Sequence, residues 1–260
     1  MGDVLVIGSA NTDLTLKLPR LPRPGETQLG GEFRQSRGGK GANQAVAARR
    51  AGATVRLIAA VGDDHLGCQT LQAIEAEGIT TSLTRVKPGL ASGVALILVS
   101  EQGENLIGVA PGANAALTPD DVQDLPDAVL QPGDWLLASL EVPVESVAAA
   151  SRRARSRGLR VALNAAPMNE AIHDHGLLEH VDLLIVNQAE AEQLTECLFE
   201  DPITAGRLAS GASRRFGCGV LITLGAAGWV LAHADGVTGD EAFPAPAAVV
   251  DTVGAGDTFC

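Results

Sequence analysis

Short β-rich apolar runs alternate along this chain with Ala-rich stretches. Val4–Ile7, Val55–Val61, Trp135–Ser139, Arg160–Leu163, Leu183–Val186 and Val220–Thr223 are predicted to be buried strands. Between them, Ala42–Ala51, Gly67–Glu77, Glu145–Arg157, Glu190–Leu198 and Thr204–Phe216 are predicted to be helices. Near-continuous apolar strands separated by helices indicate a parallel sheet covered on both faces. The expected fold class is α/β, a central mostly parallel sheet flanked by helices. Right-handed crossovers would set the strand C-terminal ends, and any ligand, along one edge.

Two regions break the alternation. Asp13–Leu18 and Glu26–Phe33 read as strands joined by a Pro-rich turn, Pro19–Pro24. Ser92–Ser100 and Asn105–Ala110 flank Glu101-Gln102-Gly103-Glu104 and read as a hairpin. With no helices between them, these four strands are expected to form a small β-sheet lid, residues about 12–34 and 92–110, over the ligand edge. No repeat or low-complexity linker divides residues 1–260, so one α/β domain with its lid is expected.

Composition narrows the function classes. With 46% hydrophobic residues in 260, a sizeable core can form. A net charge of −12 argues against binding nucleic acid or acidic membranes nonspecifically, yet local backbone nests could still hold an anion. No uninterrupted apolar stretch reaches membrane-spanning length. The start, Met1 to Gly8, lacks the basic residues of a signal peptide and reads as a first strand. Cys68, Cys197, Cys218 and Cys260 show no ligand spacing and read as reduced thiols of a cytoplasmic protein. His173, His175 and His180 read as a polar helix edge or loop rather than a metal site.

Several segments carry candidate chemistry. Gly8-Ser9-Ala10-Asn11-Thr12-Asp13 follows the first strand; its Asn and Asp could hold hydroxyl groups, or form an Asx turn. Gly38-Gly39-Lys40-Gly41-Ala42-Asn43 opens a helix with three glycines in four residues, without the Ser or Thr of a Walker A loop. Asn187-Gln188-Ala189-Glu190 fits a reciprocal helix cap and equally a carboxylate holding hydrated magnesium; spacing does not separate the two. Thr223-Leu224-Gly225 ends a strand in a tight turn, and Glu141 is a lone acid at another strand end. Asp251-Thr252-Val253 leads into Gly254-Ala255-Gly256-Asp257, where small residues let successive N–H groups converge on an anion beside an aspartate able to act as general base.

In this order, the segments resemble the ribokinase-like (PfkB-type) family of sugar and nucleoside kinases, over essentially the whole chain. The Gly-rich run at 38–45 and the terminal Gly-Ala-Gly-Asp are its two signatures. Gly103-Glu104-Asn105, Pro111-Gly112-Ala113-Asn114 and Leu117-Thr118-Pro119 are similar to the ribose-phosphorylating branch. The resemblance implies ATP-dependent conversion of D-ribose to ribose 5-phosphate with Mg2+ and K+. It implies that Asn11, Asp13, Gly39, Lys40, Asn43 and Glu141 hold the sugar and that Asp257 takes the hydroxyl proton. It assigns the amides of Gly254, Ala255 and Gly256 to the transferring phosphate, Asn187, Thr223 and Gly225 to ATP, Glu190 to magnesium through water, and Asp251 and Val253 to a monovalent cation. A homodimer through the lid is expected, since its strand edges could pair with a second subunit. A kinase for fructose, another sugar or a nucleoside is the neighbouring reading, and a sugar-binding remnant without turnover is the other. The run Leu163-Asn164-Ala165-Ala166-Pro167 has alanine where the ribose branch usually carries proline, a small departure. Members of the family continue for several tens of residues past this motif, so the 260-residue chain alone is expected to be weak or inactive.

Overall fold

Strand β1 (Val4–Ile7) starts the main sheet, and its side chains are buried from Leu5 to Ile7 because helices cover both of its faces. In the computed structural model, residues 3–199, 201–233, 235–240 and 254–260 are described. The chain then leaves the sheet for β2 (Asn11–Leu18) and β3 (Glu32–Gly38) and returns through helix α1 (Lys40–Arg50) to β4 (Val55–Ile58). After β5 (Ala60–Gly62), α2 (His65–Ala76) and β6 (Arg85–Lys87) come β7 (Gly93–Ser100) and β8 (Asn105–Ala110). The remainder is α3 (Pro119–Gln123), β9 (Trp135–Ser139), α4 (Val144–Ser156), β10 (Arg160–Asn164), β11 (Leu183–Asn187), α5 (Gln188–Thr195), α6 (Pro202–Phe216), β12 (Gly219–Thr223), β13 (Trp229–His233), β14 (Gly236–Asp240) and α7 (Ala255–Phe259).

Eight strands form the main sheet in the order β14-β13-β12-β11-β10-β9-β1-β4. The six from β12 to β4 run parallel, while β13 and β14 join antiparallel. Leu136, Leu163, Leu184 and Val220 pack one face against the α4 and α6 side, and Val6, Leu57 and Leu137 pack the other against Ala42, Ala45 and Val46 of α1. Fully burying each large aliphatic side chain contributes roughly 1.5–3 kcal/mol. The lid is a separate sheet, β3-β2-β7-β8, in which β2 and β7 run parallel. Ser92, at its base, is tied to the body: its N–H and hydroxyl donate to Asp64, 2.8 and 2.6 Å, and Asp64 also caps α2. No described helix is long and apolar enough to cross a membrane.

Three expectations need correction. Residues 26–31 form no strand; the third lid strand is β3, whose pairing register runs from Lys17↔Glu32 to Asn11↔Gly38. Gly25, Gly30 and Gly31 take positive φ in the loop before it. The run 55–61 divides into β4 and β5, because Ala59 O accepts from Arg85 N and β5 turns away to pair with β6. Helix α5 stops at Thr195, where Glu196 is left-handed (φ 56°), leaving Leu198 outside it and 85% exposed. Strand β14, antiparallel at the sheet edge, follows a polar turn that gives no apolar alternation.

Helix α1 lies directly on β1. A Cβ at Gly41 would stand 2.6 Å from the carbonyl carbon of Gly8 and 2.9 Å from Ser9 N. Gly211, inside α6, has nothing within 4 Å of its Cβ position. Gly41→Ala is therefore expected to destabilise by about 1–3 kcal/mol despite alanine's higher helix propensity, and Gly211→Ala to stabilise by up to about 1 kcal/mol. Urea unfolding of the two variants checks this; equal shifts of the same sign would contradict it.

Candidate active site

The chain goes from β1 to β4 on one side and later to β9 on the other. The loops after β1 and β9 therefore part and leave a crevice at the strand C-terminal edge, the usual ligand position of an open α/β sheet. Ser9 follows β1 and Glu141 follows β9. The Ser9 hydroxyl donates to Glu141 Oε2, and the Lys40 backbone N–H donates to the same oxygen at 3.1 Å. Gly39, with φ 88°, brings the start of α1 against this loop; a Cβ there would lie 2.8 Å from Ser9 O and Asn11 N. Ala42 N donates to Ser9 O at 2.9 Å, which fixes the first turn of α1 to the crevice.

That first turn presents Asn43, whose Nδ2 donates to Asp257 Oδ2 at 3.0 Å. Asp257 lies in α7 behind Gly254, a left-handed N-cap with φ 72°. A cleft of about 250 Å³ is lined here by Lys40, Asn164, Asn187, Glu190, Thr223 and Asp257, with Gly254 and Gly256 at its edge. A larger cleft, about 600 Å³, opens between lid and body; Asn11, Asn114, Glu141, Asn169 and His175 line it. Asn114 is fully buried: its amide donates to Asn11 Oδ1 at 2.7 Å and its oxygen accepts from Ala10 N at 3.0 Å. The Asn11 oxygen is thus occupied, and its amide N–H groups are left to donate.

Asp13 stands on β2 opposite Ser36. A side chain at Gly38 would fall on the Asp13 carboxyl, so only glycine leaves it room. Burial pushes Asp13 up to about 6, helped by the charges of Glu141 and Asp257. Burial also raises Asp257, which the Asn43 hydrogen bond and Lys40 pull back and Glu141 raises further. Glu190 is raised chiefly by burial, against the Asn187 N–H and Lys40. The Lys40 charge thus acts on Glu190 and Asp257, while Glu141 adds negative charge at Asp13 and Asp257. Such a site favours hydroxyl donors and cations, and a polyphosphate could enter it only with its charge neutralised.

Asn187 and Glu190 form the reciprocal cap of α5: Asn187 N donates to Glu190 Oε2 at 2.8 Å and Glu190 N to Asn187 Oδ1 at 2.9 Å. Glu190 also lines the cleft, so cap and ligand role coexist in one side chain. Among the described residues no cluster of three His, Cys, Asp or Glu could cage a metal. A lone carboxylate of this kind suits a magnesium ion held through its waters. Gly225, with φ 57°, and Ala255 lie outside the residues that line the cleft. Asp251 and Val253 lie outside the described residues. Ser9, Asn114 and Asn164 belong to the site without having been singled out; a polar residue buried beside a strand end was the available signal.

The whole chain, residues 1–260, matches the pfkB family carbohydrate kinase model, and the protein belongs to that family. It is 37% identical to a ribokinase of Haemophilus influenzae over 254 residues, 98% of this chain and 81% of the relative. It is 34% identical to a Salmonella typhi deoxyribokinase, covering 99% of this chain and 83% of the relative. A bifunctional ribokinase/ribose-5-phosphate isomerase A of Fructilactobacillus sanfranciscensis is 36% identical, and the chain spans 47% of its length. The structure of Arabidopsis thaliana ribokinase complexed with ribose and ATP superposes with a TM-score of 0.86 at 26% identity, covering 100% of this chain and 84% of that one.

The elevated Asp13 yields a pH signature. Its carboxylate form, the acceptor of hydroxyl protons, is populated above about 6 and lost below it. On the resemblance's expectation that Asp13 accepts from sugar hydroxyls, sugar affinity measured by calorimetry should fall about tenfold per unit once pH drops below that value, and Asp13→Asn should flatten the profile. Because the native state holds this proton more tightly than the unfolded chain, Asp13→Asn should also stabilise the fold at pH 7, with the gain fading below about 6. A pH-independent sugar affinity in the parent chain would contradict the assignment.

Proposed function

We propose that this protein transfers the γ-phosphate of ATP to the primary hydroxyl of D-ribose, giving ribose 5-phosphate, as a cytoplasmic sugar kinase. The observation that carries the reading is the Asn43–Asp257 hydrogen bond, 3.0 Å, which joins the two signature segments across 214 residues at one cleft. Asn11, Asp13, Gly39, Lys40, Asn43 and Glu141 would hold the sugar in the crevice. Its primary hydroxyl would approach Asp257, whose carboxylate accepts the proton as the oxygen attacks phosphorus. Phosphoryl transfer depends mainly on positioning and charge neutralisation. Lys40 and the backbone N–H groups at Gly254, Ala255 and Gly256 would face the transferring group. Asn187, Thr223 and Gly225 would contact the nucleotide. Magnesium, held through water by Glu190, would neutralise the phosphates against the surrounding carboxyls, and K+ would bind by Asp251 and Val253.

Asp257→Asn is expected to lower turnover by about 10²–10⁴ while ribose affinity changes only a few-fold, since the amide keeps the shape but accepts no proton. Coupled ADP release and calorimetry on the same preparation separate the two effects. Loss of ribose binding with turnover retained would overturn the reading. Sugar binding without ADP release in the parent chain would leave the sugar site and remove the kinase. The deoxyribokinase relative keeps a second sugar open, 2-deoxyribose; the ratio of kcat/KM for the two sugars decides between them.

The lid supplies the dimer in this reading. Register sets Leu14, Leu16, Phe33, Leu96, Leu98 and Leu106 on one face of it, with Phe33, Leu96 and Leu106 more than half exposed. A contiguous apolar sheet face of this kind suits a second copy of the chain. Leu106→Asp is expected to shift the protein from dimer to monomer in light scattering; a parent chain that is monomeric at high concentration would refute the dimer.

A further inference from the structure

Asn114, in the turn after β8, is wholly buried, and main chain meets both ends of its carboxamide. Its Oδ1 accepts from Ala10 N at 3.0 Å. Its Nδ2 donates to Asn11 Oδ1 at 2.7 Å and to Pro111 O at 3.1 Å, with Ala10 O further off at 3.4 Å. The backbone dictates which way round this amide sits. A peptide N–H can only donate and a carbonyl can only accept, so Ala10 N has to face the oxygen and Pro111 O the nitrogen. A reversed amide would set oxygen against Pro111 O and N–H against Ala10 N–H, where no water can compensate. The atom of Asn11 that meets Asn114 Nδ2 therefore has to be its oxygen. Glycine makes room for the pair. Asn11 opens β2 between Gly38 of β3 and Gly93 of β7, and a Cβ at Gly93 would lie 2.2 Å from both Asn11 Oδ1 and Asn114 Nδ2. Among the described residues nothing accepts from Asn11 Nδ2, and Asn11 lines the larger cleft.

We infer that Asn114 is a positioning residue that sets the polarity of Asn11: with its oxygen held, Asn11 turns its N–H groups to the cleft and reads the ligand as a donor only. The sugar as ligand rests on the sugar-kinase reading; the amide polarity does not. Asp13 follows two residues later on the same face of β2, and its carboxylate only accepts. A donor and an acceptor of fixed sense thus stand next to each other. A sugar answers both: a hydroxyl oxygen takes an N–H from Asn11, while its own proton or that of a neighbouring hydroxyl goes to Asp13, and bonds linked in this way strengthen one another. An ether oxygen has no proton for Asp13, and an ammonium has no lone pair for Asn11. The pair therefore selects hydroxyl groups. Were Asn11 free to turn over, two acceptors would face the ligand and that selection would be lost. Asn114 touches no ligand in this scheme; it acts through Asn11.

Calorimetry on the full chain measures ribose affinity for the parent, Asn11→Asp, Asn11→Ala, Asn114→Ala and the double variant Asn11→Ala/Asn114→Ala. Asn11→Asp keeps an acceptor for the buried Asn114 amide while removing the N–H groups of residue 11, so it guards against a folding defect in Asn114→Ala. Expected is a loss of about tenfold or more in Asn11→Asp and in Asn114→Ala, and a further loss under about twofold when Asn114→Ala is added to Asn11→Ala. Ribose analogues that each lack one hydroxyl give a readout that a purely structural role would leave unmoved. The hydroxyl whose removal weakens binding to the parent but not to Asn11→Ala should cease to matter in Asn114→Ala as well. Ribose affinity kept within about threefold in Asn11→Asp would overturn the polarity, and an equal loss from Asn114→Ala in both backgrounds would overturn the positioning role. A parent chain that binds no ribose would remove the sugar-kinase reading and this role with it.

Discussion

The contact of α1 with the end of β1, backbone against backbone, is the constraint on which the rest of the molecule depends. Gly8 and Gly41 meet without side chains between them, and Ala42 N is bound to Ser9 O. Any Cβ here would push α1 away from the sheet. Because the helix sits so low, its first turn reaches the switch point between β1 and β9, where Lys40 and Asn43 face residues from three other strand ends. One packing distance thus decides both the cover of the sheet and the composition of the site.

Electrostatics gives that arrangement its character. Glu190 and Asp257 share a partly desolvated cleft with Lys40, and the charges of Asp13 and Glu141 lie close enough to act on one another and, for Glu141, on Asp257. Burial, with repulsion from neighbouring carboxylates, raises Asp13, Glu190 and Asp257. The same repulsion makes the crevice receptive to hydroxyl-rich neutral ligands and to cations. The fold tolerates it because neighbouring donors partly compensate: Ser9 and the Lys40 N–H for Glu141, Asn43 for Asp257, the Asn187 N–H for Glu190. The four-stranded lid lends Asn11 and Val109 to the wall of the larger cleft, and its base is anchored through Ser92 and Asp64.

Much of the architecture was legible because parallel strands buried on both faces leave continuous apolar runs; Trp135–Ser139 falls where that pattern sets it, while the exposed antiparallel strand Asn105–Ala110 was marked instead by the polar turn before it. The third lid strand was misplaced because Glu32–Gly38 is polar and almost wholly exposed, so burial wrote no alternation into it. The break between β4 and β5 left no mark either, since both pieces are buried and the divergence is made by pairing to β6. Within the site, Asn43 and Asp257 were visible as parts of glycine-rich segments. Ser9 and Asn114 stood in quoted segments without a role, because a buried polar residue takes its role only from its partners, here Glu141 and Asn11.

The sequence alone determined the α/β class, the existence of a lid, and the residue types able to hold a polyol and accept a proton, since periodicity and glycine placement act locally along the chain. Only the tertiary structure decided that Asp257 meets Asn43, that Glu190 and Asp257 share a cleft with Lys40, and that Glu141 accepts from both Ser9 and the Lys40 N–H. Those facts are distances between residues far apart in the chain, and the close approach of helix to sheet creates them.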